Sequence, residues 1–245
     1  DDLMRLFGSE RVMGIYDTLK IPEGEEIEHK TITKFVERAQ KKIESNNFAI
    51  RKNLLEYDQV NNEQREVIYA ERRKVLDGEN MHDTVREMII DTVAACVDRV
   101  ISADIDPSEW DMKELYRMLE PIVPFDKIEL TDKEKDRGDA KGLKERLQQE
   151  ALELYEARCA EEFESEEQVS EIERVMLLKT VDRKWMDNID DMEQLRQGIG
   201  LQGYGNRDPV VEYKLAGYDM FNDMIASIKE ETARIMFHVR LKPKE

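Results

Sequence analysis

The residues best spaced for chemistry are Glu26 and His29. Glu-x-x-His sets two ligands on one helical face, as in di-iron bundles. Such a centre needs a second pair of this kind and two further Glu; Glu79 and His82 repeat the spacing, but Glu79 falls ahead of the helix expected from 81. The pair also sits where a helix starts, so the plainer expectation is a structural role and no metal. Asp104-Ile105-Asp106 lacks the glycine and the terminal Glu of a calcium loop. Gly138-Asp139-Ala140-Lys141-Gly142 lacks the spacing of a phosphate-binding loop. Cys96 and Cys159 stand alone with no Cys-x-x-Cys, and the default for such cysteines is a reduced, cytoplasmic setting. With three His in the chain, nothing points to a Ser/His/Asp or Cys/His site. These residues describe a non-enzymatic helical module that carries no cofactor.

The elements that would carry any function are helices. Residues 25–77 hold neither Gly nor Pro over 53 positions. At about 1.5 Å per residue they form one helix of about 70–80 Å, a beam against which other elements lean. It is expected to begin near His29 or Lys30 and to end at Gly78, a C-cap glycine. Its apolar stripe runs Ile32, Phe35/Val36, Ala39, Ile43, Phe48/Ile50, Leu54, Tyr57, Val60, Val67/Ile68 and Val75, in steps of three and four. Asn61 and Gln64 interrupt the stripe, which suggests partners that change along the beam. Ahead of it, Ser9 can cap a short helix over 10–19, and Pro22-Glu23-Gly24 forms a turn.

Residues 79–167 form a block with its own apolar faces. Helices are expected at 81–102, from Ser108 or Asp111 to 119, and at 143–163. The charged stretch 131–142 is expected to be exposed. Two matched helices close the chain, the first over 169–196, with Trp185 on the seam. The second starts at Asp208-Pro209, with Asp as N-cap and Pro in the first helical position. Between them, Gly198, Gly200, Gly203 and Gly205 place four glycines in eight residues, a mobile, solvent-reaching tip.

Composition excludes several classes. The net charge is −18, which argues against a nucleic-acid footprint. Residues 150–174 carry ten Glu against Arg158 and Arg174, a solvated acidic face or a dock for a basic partner. No run of about 18 apolar residues is present, so no helix is expected to span a membrane. No signal peptide opens the sequence. It begins with Asp, which suggests a piece of a longer protein.

Two runs carry a resemblance. One is Ile43-Glu44-Ser45-Asn46-Asn47-Phe48-Ala49-Ile50-Arg51-Lys52-Asn53-Leu54-Leu55-Glu56-Tyr57-Asp58-Gln59-Val60. The other is Leu195-Arg196-Gln197-Gly198-Ile199-Gly200-Leu201-Gln202-Gly203-Tyr204, followed by Asp208-Pro209. Both resemble the C-terminal half of SecA, the motor ATPase family of bacterial protein export. The opening Asp1-Asp2-Leu3-Met4-Arg5-Leu6-Phe7-Gly8-Ser9 resembles the segment after that motor's second nucleotide-binding domain. The likeness covers essentially the whole chain and is weakest over 79–167.

The resemblance implies an all-α fold: a very long scaffold helix, with a helical wing domain inserted before an antiparallel two-helix finger. It implies scaffold at 1–78, wing at 79–167, and scaffold with finger at 168–245. The nucleotide-binding domains, with their ATP and Mg, and the preprotein cross-linking domain fall outside this sequence, so this stretch alone should not hydrolyse ATP. The implied partners are the SecA motor domains, unfolded preprotein and the SecYEG channel, together with anionic lipid and a second copy. The implied place is the cytoplasm, at the inner face of the plasma membrane.

Tyr204 matches the fingertip aromatic that touches the moving polypeptide, and Leu201, Gln202 and Gly203 lie beside it. A large ring suits contact with varied side chains. Arg51 matches a scaffold arginine that pairs with an acidic residue of the motor domain and gates ATP turnover. The plainer readings are an exposed loop aromatic and a solvated helix charge. The tip departs from the family: Gly200 stands where His is frequent, Gln202 where Arg is frequent, and Asn206 where Gln is frequent. Gln59 stands where a second Asp is usual. Loss of the cation at 202 removes a charge contact toward the channel or anionic lipid. A rival class is a stand-alone acidic adaptor or holdase that uses the twelve Met as an adaptable surface, though most of them fall at helical spacing.

Overall fold

The computed structural model describes residues 30–77, 81–201 and 208–241. Among them the fold is all-α, with seven helices, one short 3₁₀ turn and no strand. The chain divides into two compact units, residues 1–59 and 60–245.

The long helix, α1, runs Lys30–Leu76. It starts where the sequence predicts, while Gly78 lies outside the described residues. In the first unit its stripe buries Ala39 but leaves Phe48, Ile50 and Leu54 exposed, Phe48 at 71%, and Leu55 beside the stripe is exposed as well. The expected stripe is therefore unburied over this stretch. In the second unit Ile68 and Val75 are buried again.

The second unit holds the remaining helices: α2 (Met81–Val100), α3 (Met112–Leu119), α4 (Asp132–Arg137), α5 (Ala140–Glu162), α6 (Glu166–Leu201) and α7 (Pro209–His238). Its larger core joins Val85, Ile89 and Val93 of α2 and Leu115 and Leu119 of α3 to Leu143, Leu147 and Tyr155 of α5. Ala233, Met236 and Phe237 of α7 belong to the same core. The end of the final helix thus packs into the middle block, with Tyr155 edge-on to Phe237 at 5.7 Å. A smaller core gathers Ile68 and Val75 of α1, Met81 of α2, Leu177, Val181 and Trp185 of α6, and Met224 and Ile228 of α7. Trp185 is a packing residue, as its place on the seam predicts.

Local chemistry explains most boundaries. Asp111, Asp139 and Asp208 each cap a helix, accepting from the backbone N–H of Glu114, Gly142 and Val210, which satisfies donors that a helix start leaves open. The stretch 131–142 is exposed at most of its described positions, as expected, but not at all of them. It forms α4, with a reciprocal capping box between Thr131 and Glu134, and Glu134 is buried. Gly138 closes α4 in the left-handed region at φ +61°, where a Cβ is strained. The helix expected from 143 starts at Ala140, one turn early, because Asp139 caps it. The helix expected over 169–196 runs Glu166–Leu201, through Gly198 and Gly200. Burial of Ile199 offsets the helical cost of those glycines, about 1 kcal/mol each.

Candidate functional site at the helix–hairpin contact

Asn61, Gln64 and Ile68 share one face of α1 by their spacing of three and four. That face meets α6 and α7. Gln64, 7% exposed, and Asn188 of α6, 5% exposed, are buried side chains, and a buried amide is costly unless bonded. The Gln64 Nε2 donates to the Gly217 carbonyl of α7 at 2.9 Å. The Asn188 Nδ2 donates to the Gln64 Oε1 at 3.1 Å. Further along, the Tyr213 hydroxyl donates to the Asn61 Oδ1 at 3.0 Å. The polar interruption in the stripe is thus a bonded cluster across three helices.

Gly217 lies close under Met192 and Val60. A Cβ there would come within 2.8 Å of the Met192 Cε and 3.5 Å of the Val60 Cγ1. Charged pairs flank the contact: Arg72 with Asp182 at 3.0 Å and Arg183 with Glu231 at 3.1 Å. Burial would raise the Glu231 carboxyl, but Arg234 and Arg183 hold it below the usual carboxylate range.

A second polar cluster lies where α2, α5 and α6 meet. Glu173 is fully buried. Its Oε1 accepts from the Tyr155 hydroxyl at 2.5 Å and faces the His82 Nδ1 at 2.7 Å. The His82 Nε2 lies 3.1 Å from Glu156, which also binds Arg86. Burial alone would lower the His82 pKa, yet Glu173 and Glu156 raise it above its ordinary 6.5. A cleft of about 460 Å³ borders His82, Glu156, Cys159 and Phe163. Burial pushes the Cys159 thiol up to about 11, and the Cys96 thiol likewise, so neither is an activated nucleophile.

The sequence-predicted residues fall as follows. Arg51 is exposed on α1, in the first unit. Leu201 is the last residue of α6, and its side chain lies outside the described residues. Gln202, Gly203, Tyr204 and Asn206 lie outside them too, as do Glu26 and His29. The structure does describe the tip's two roots, Ile199 and Val210, both buried. Asp106 accepts from the Ser108 backbone N–H at 2.9 Å and caps a 3₁₀ turn, a structural use of the acidic pair. The glycine run at 138–142 is a helix joint. Among the described residues, no group of three or more His, Cys, Asp and Glu is placed to hold a metal, and no helix is long and apolar enough to cross a membrane. Sequence reasoning marked Gln64 only as an interruption and missed Asn188 and Gly217. The available signal was an Asn and a Gly at seam positions of otherwise apolar helix faces.

Comparison with known proteins places this architecture. The family model described as SecA Wing and Scaffold domain matches residues 26–240. The chain is 57% identical over 244 residues to the Protein translocase subunit SecA of Lachnoclostridium phytofermentans, covering 100% of this chain and 28% of that relative. It is 49% identical over 240 residues to that of Finegoldia magna, covering 98% and 26%. It is 46% identical over 242 residues to that of Desulforamulus reducens, covering 98% and 27%. The chain thus spans between a quarter and a third of the length of these relatives. A match of this extent, on a long helix bonded to a helical hairpin, shows that the chain belongs to the SecA wing and scaffold domain family.

Proposed function

We propose that this chain is the non-catalytic scaffold and regulatory part of a protein-translocating SecA motor. It couples ATP hydrolysis in nucleotide-binding domains, which lie outside this sequence, to the movement of unfolded preprotein through the SecYEG channel. ATP and Mg belong to those domains. Residues 1–78 form the first part of the scaffold, 79–167 the wing, and 168–245 the second part of the scaffold with the finger.

The observation that carries this reading is the family match over 26–240, on a continuous α1 whose second half is bonded to both hairpin helices. A stiff helix that shares buried hydrogen bonds with a hairpin can hand on a displacement, because packed interiors transmit strain rather than absorb it. The exposed Phe48, Ile50 and Leu55 beside Arg51 support a docking role for the first half of α1, with the motor domains as its partner. In the resting state Arg51 restrains ATP turnover by pairing with an acid on those domains. Tyr204, beside Leu201, Gln202 and Gly203, touches the moving polypeptide. The whole protein works at the cytoplasmic face of the membrane, where anionic lipid and a second copy are further partners.

A photoreactive side chain at position 204 of the full-length protein tests this. With a stalled polypeptide in the channel, position 204 should cross-link to that polypeptide, and exposed Lys141 of α5 should not. Equal cross-linking at both positions, or none at 204, would sink the proposal.

A further inference from the structure

Most of the contact between α1 and the hairpin is apolar, built on Ile68, Val75, Trp185 and Met224. Apolar contact is non-directional. Apolar contact alone does not name one axial setting of α1 on the hairpin. The buried amides are different. Gln64 reaches the Gly217 carbonyl and the Asn188 amide at one axial setting, at 2.9 and 3.1 Å. Away from that setting, two buried amide side chains lose their partners, a bias of about tenfold or more for each. Lone polar residues in an apolar helix seam fix register at some cost in stability.

We propose that Gln64 and Asn188 form a register lock, positioning residues that hold the long helix at one axial setting on the hairpin so that displacement of one is passed to the other. What the lock serves rests on the proposed function. The lock itself rests on the hydrogen-bond geometry alone.

The test uses the full-length protein, with spin labels at Glu66→Cys and Leu215→Cys, both exposed positions on α1 and α7, and any exposed native cysteine replaced. The parent should give one distance population. The double variant Gln64→Met with Asn188→Leu removes both bonds and keeps side-chain bulk; parent and variant both carry Tyr213→Phe, so that the Tyr213–Asn61 bond across the same contact does not hold the register by itself. The double variant should unfold within a few degrees of the parent and show a second population displaced by about 5 Å, one helical pitch. Asn188→Leu alone keeps the bond to Gly217 and should retain one population. Ile68→Val, an ordinary core truncation, should lower the unfolding temperature without adding a population. A single unshifted population in the double variant overturns the proposal. So does a double variant that no longer folds, because the pair would then serve stability rather than register. On the same samples, polypeptide moved per ATP should fall by about fivefold or more in the double variant, since one lost hydrogen bond already has that scale and two are removed. Shifted distances with unchanged transport would keep the lock and sink the proposed coupling instead.

Discussion

His82 ties three helices through two carboxylates, and its raised pKa has a consequence for stability. A group whose folded pKa lies above its unfolded value stabilises fully below the unfolded value, here 6.5, and loses that contribution as pH rises through the folded value. The difference in unfolding temperature between the parent and His82→Gln should be largest near pH 6 and shrink by pH 9; a pH-independent difference would contradict this. Glu134 works in the opposite sense. Burial would raise its carboxyl, but Arg146 and Thr131 hold it low, so its contribution is present above the ordinary carboxylate pKa and fades as pH falls. Glu134→Gln weakens the pair with Arg146 at 2.9 Å and should cost about 1–3 kcal/mol in denaturant unfolding at pH 7; no measurable loss would show the pair to be idle. The Thr131-x-x-Glu134 spacing of a capping box stands in the sequence, but the stretch was read only as exposed charge. The burial of Glu134 was not legible, because Arg146 reaches it from the next helix. Gln64 was visible as a break in the stripe, but its partners lie 124 and 153 positions away, beyond any periodicity argument.

At the scale of elements, α7 shows how far local signals reach. Asp208 followed by Pro209 marked its start to the residue. Asp208→Ala removes the cap and should lower stability by about 1 kcal/mol; hydrogen exchange should quicken first in the opening turn of α7. Unaltered exchange there would mean that Val210 packing, rather than the cap, fixes the helix start. Where two local signals competed, packing decided the outcome. Gly198 and Gly200 read as loop residues, yet α6 continues through them because Ile199 is buried. The charged run at 131–142 read as solvated because charge counts do not reveal which carboxylate turns inward. On α1 the three-and-four spacing correctly gave one helix over Lys30–Leu76. It could not say which apolar positions are covered within this sequence, and Phe48 and Leu55 remain open.

At the scale of the whole molecule, an all-α fold and the family were legible because long Gly- and Pro-free spans and two extended motifs occur together. The tip, Tyr204 with its neighbours, was read from resemblance alone. A net charge of −18 fits a part that meets other proteins rather than nucleic acid. In the proposed function the long helix restrains and transmits the work of motor domains outside this sequence, and the measurement to make is ATP turnover of the full-length protein with Arg51→Ala. Loss of one charge-assisted contact of about 1.5–3 kcal/mol should raise turnover without polypeptide by about tenfold or more, while polypeptide-stimulated turnover stays near the parent's and the stimulation ratio collapses. Unchanged basal turnover in a folded Arg51→Ala protein would contradict the proposed function.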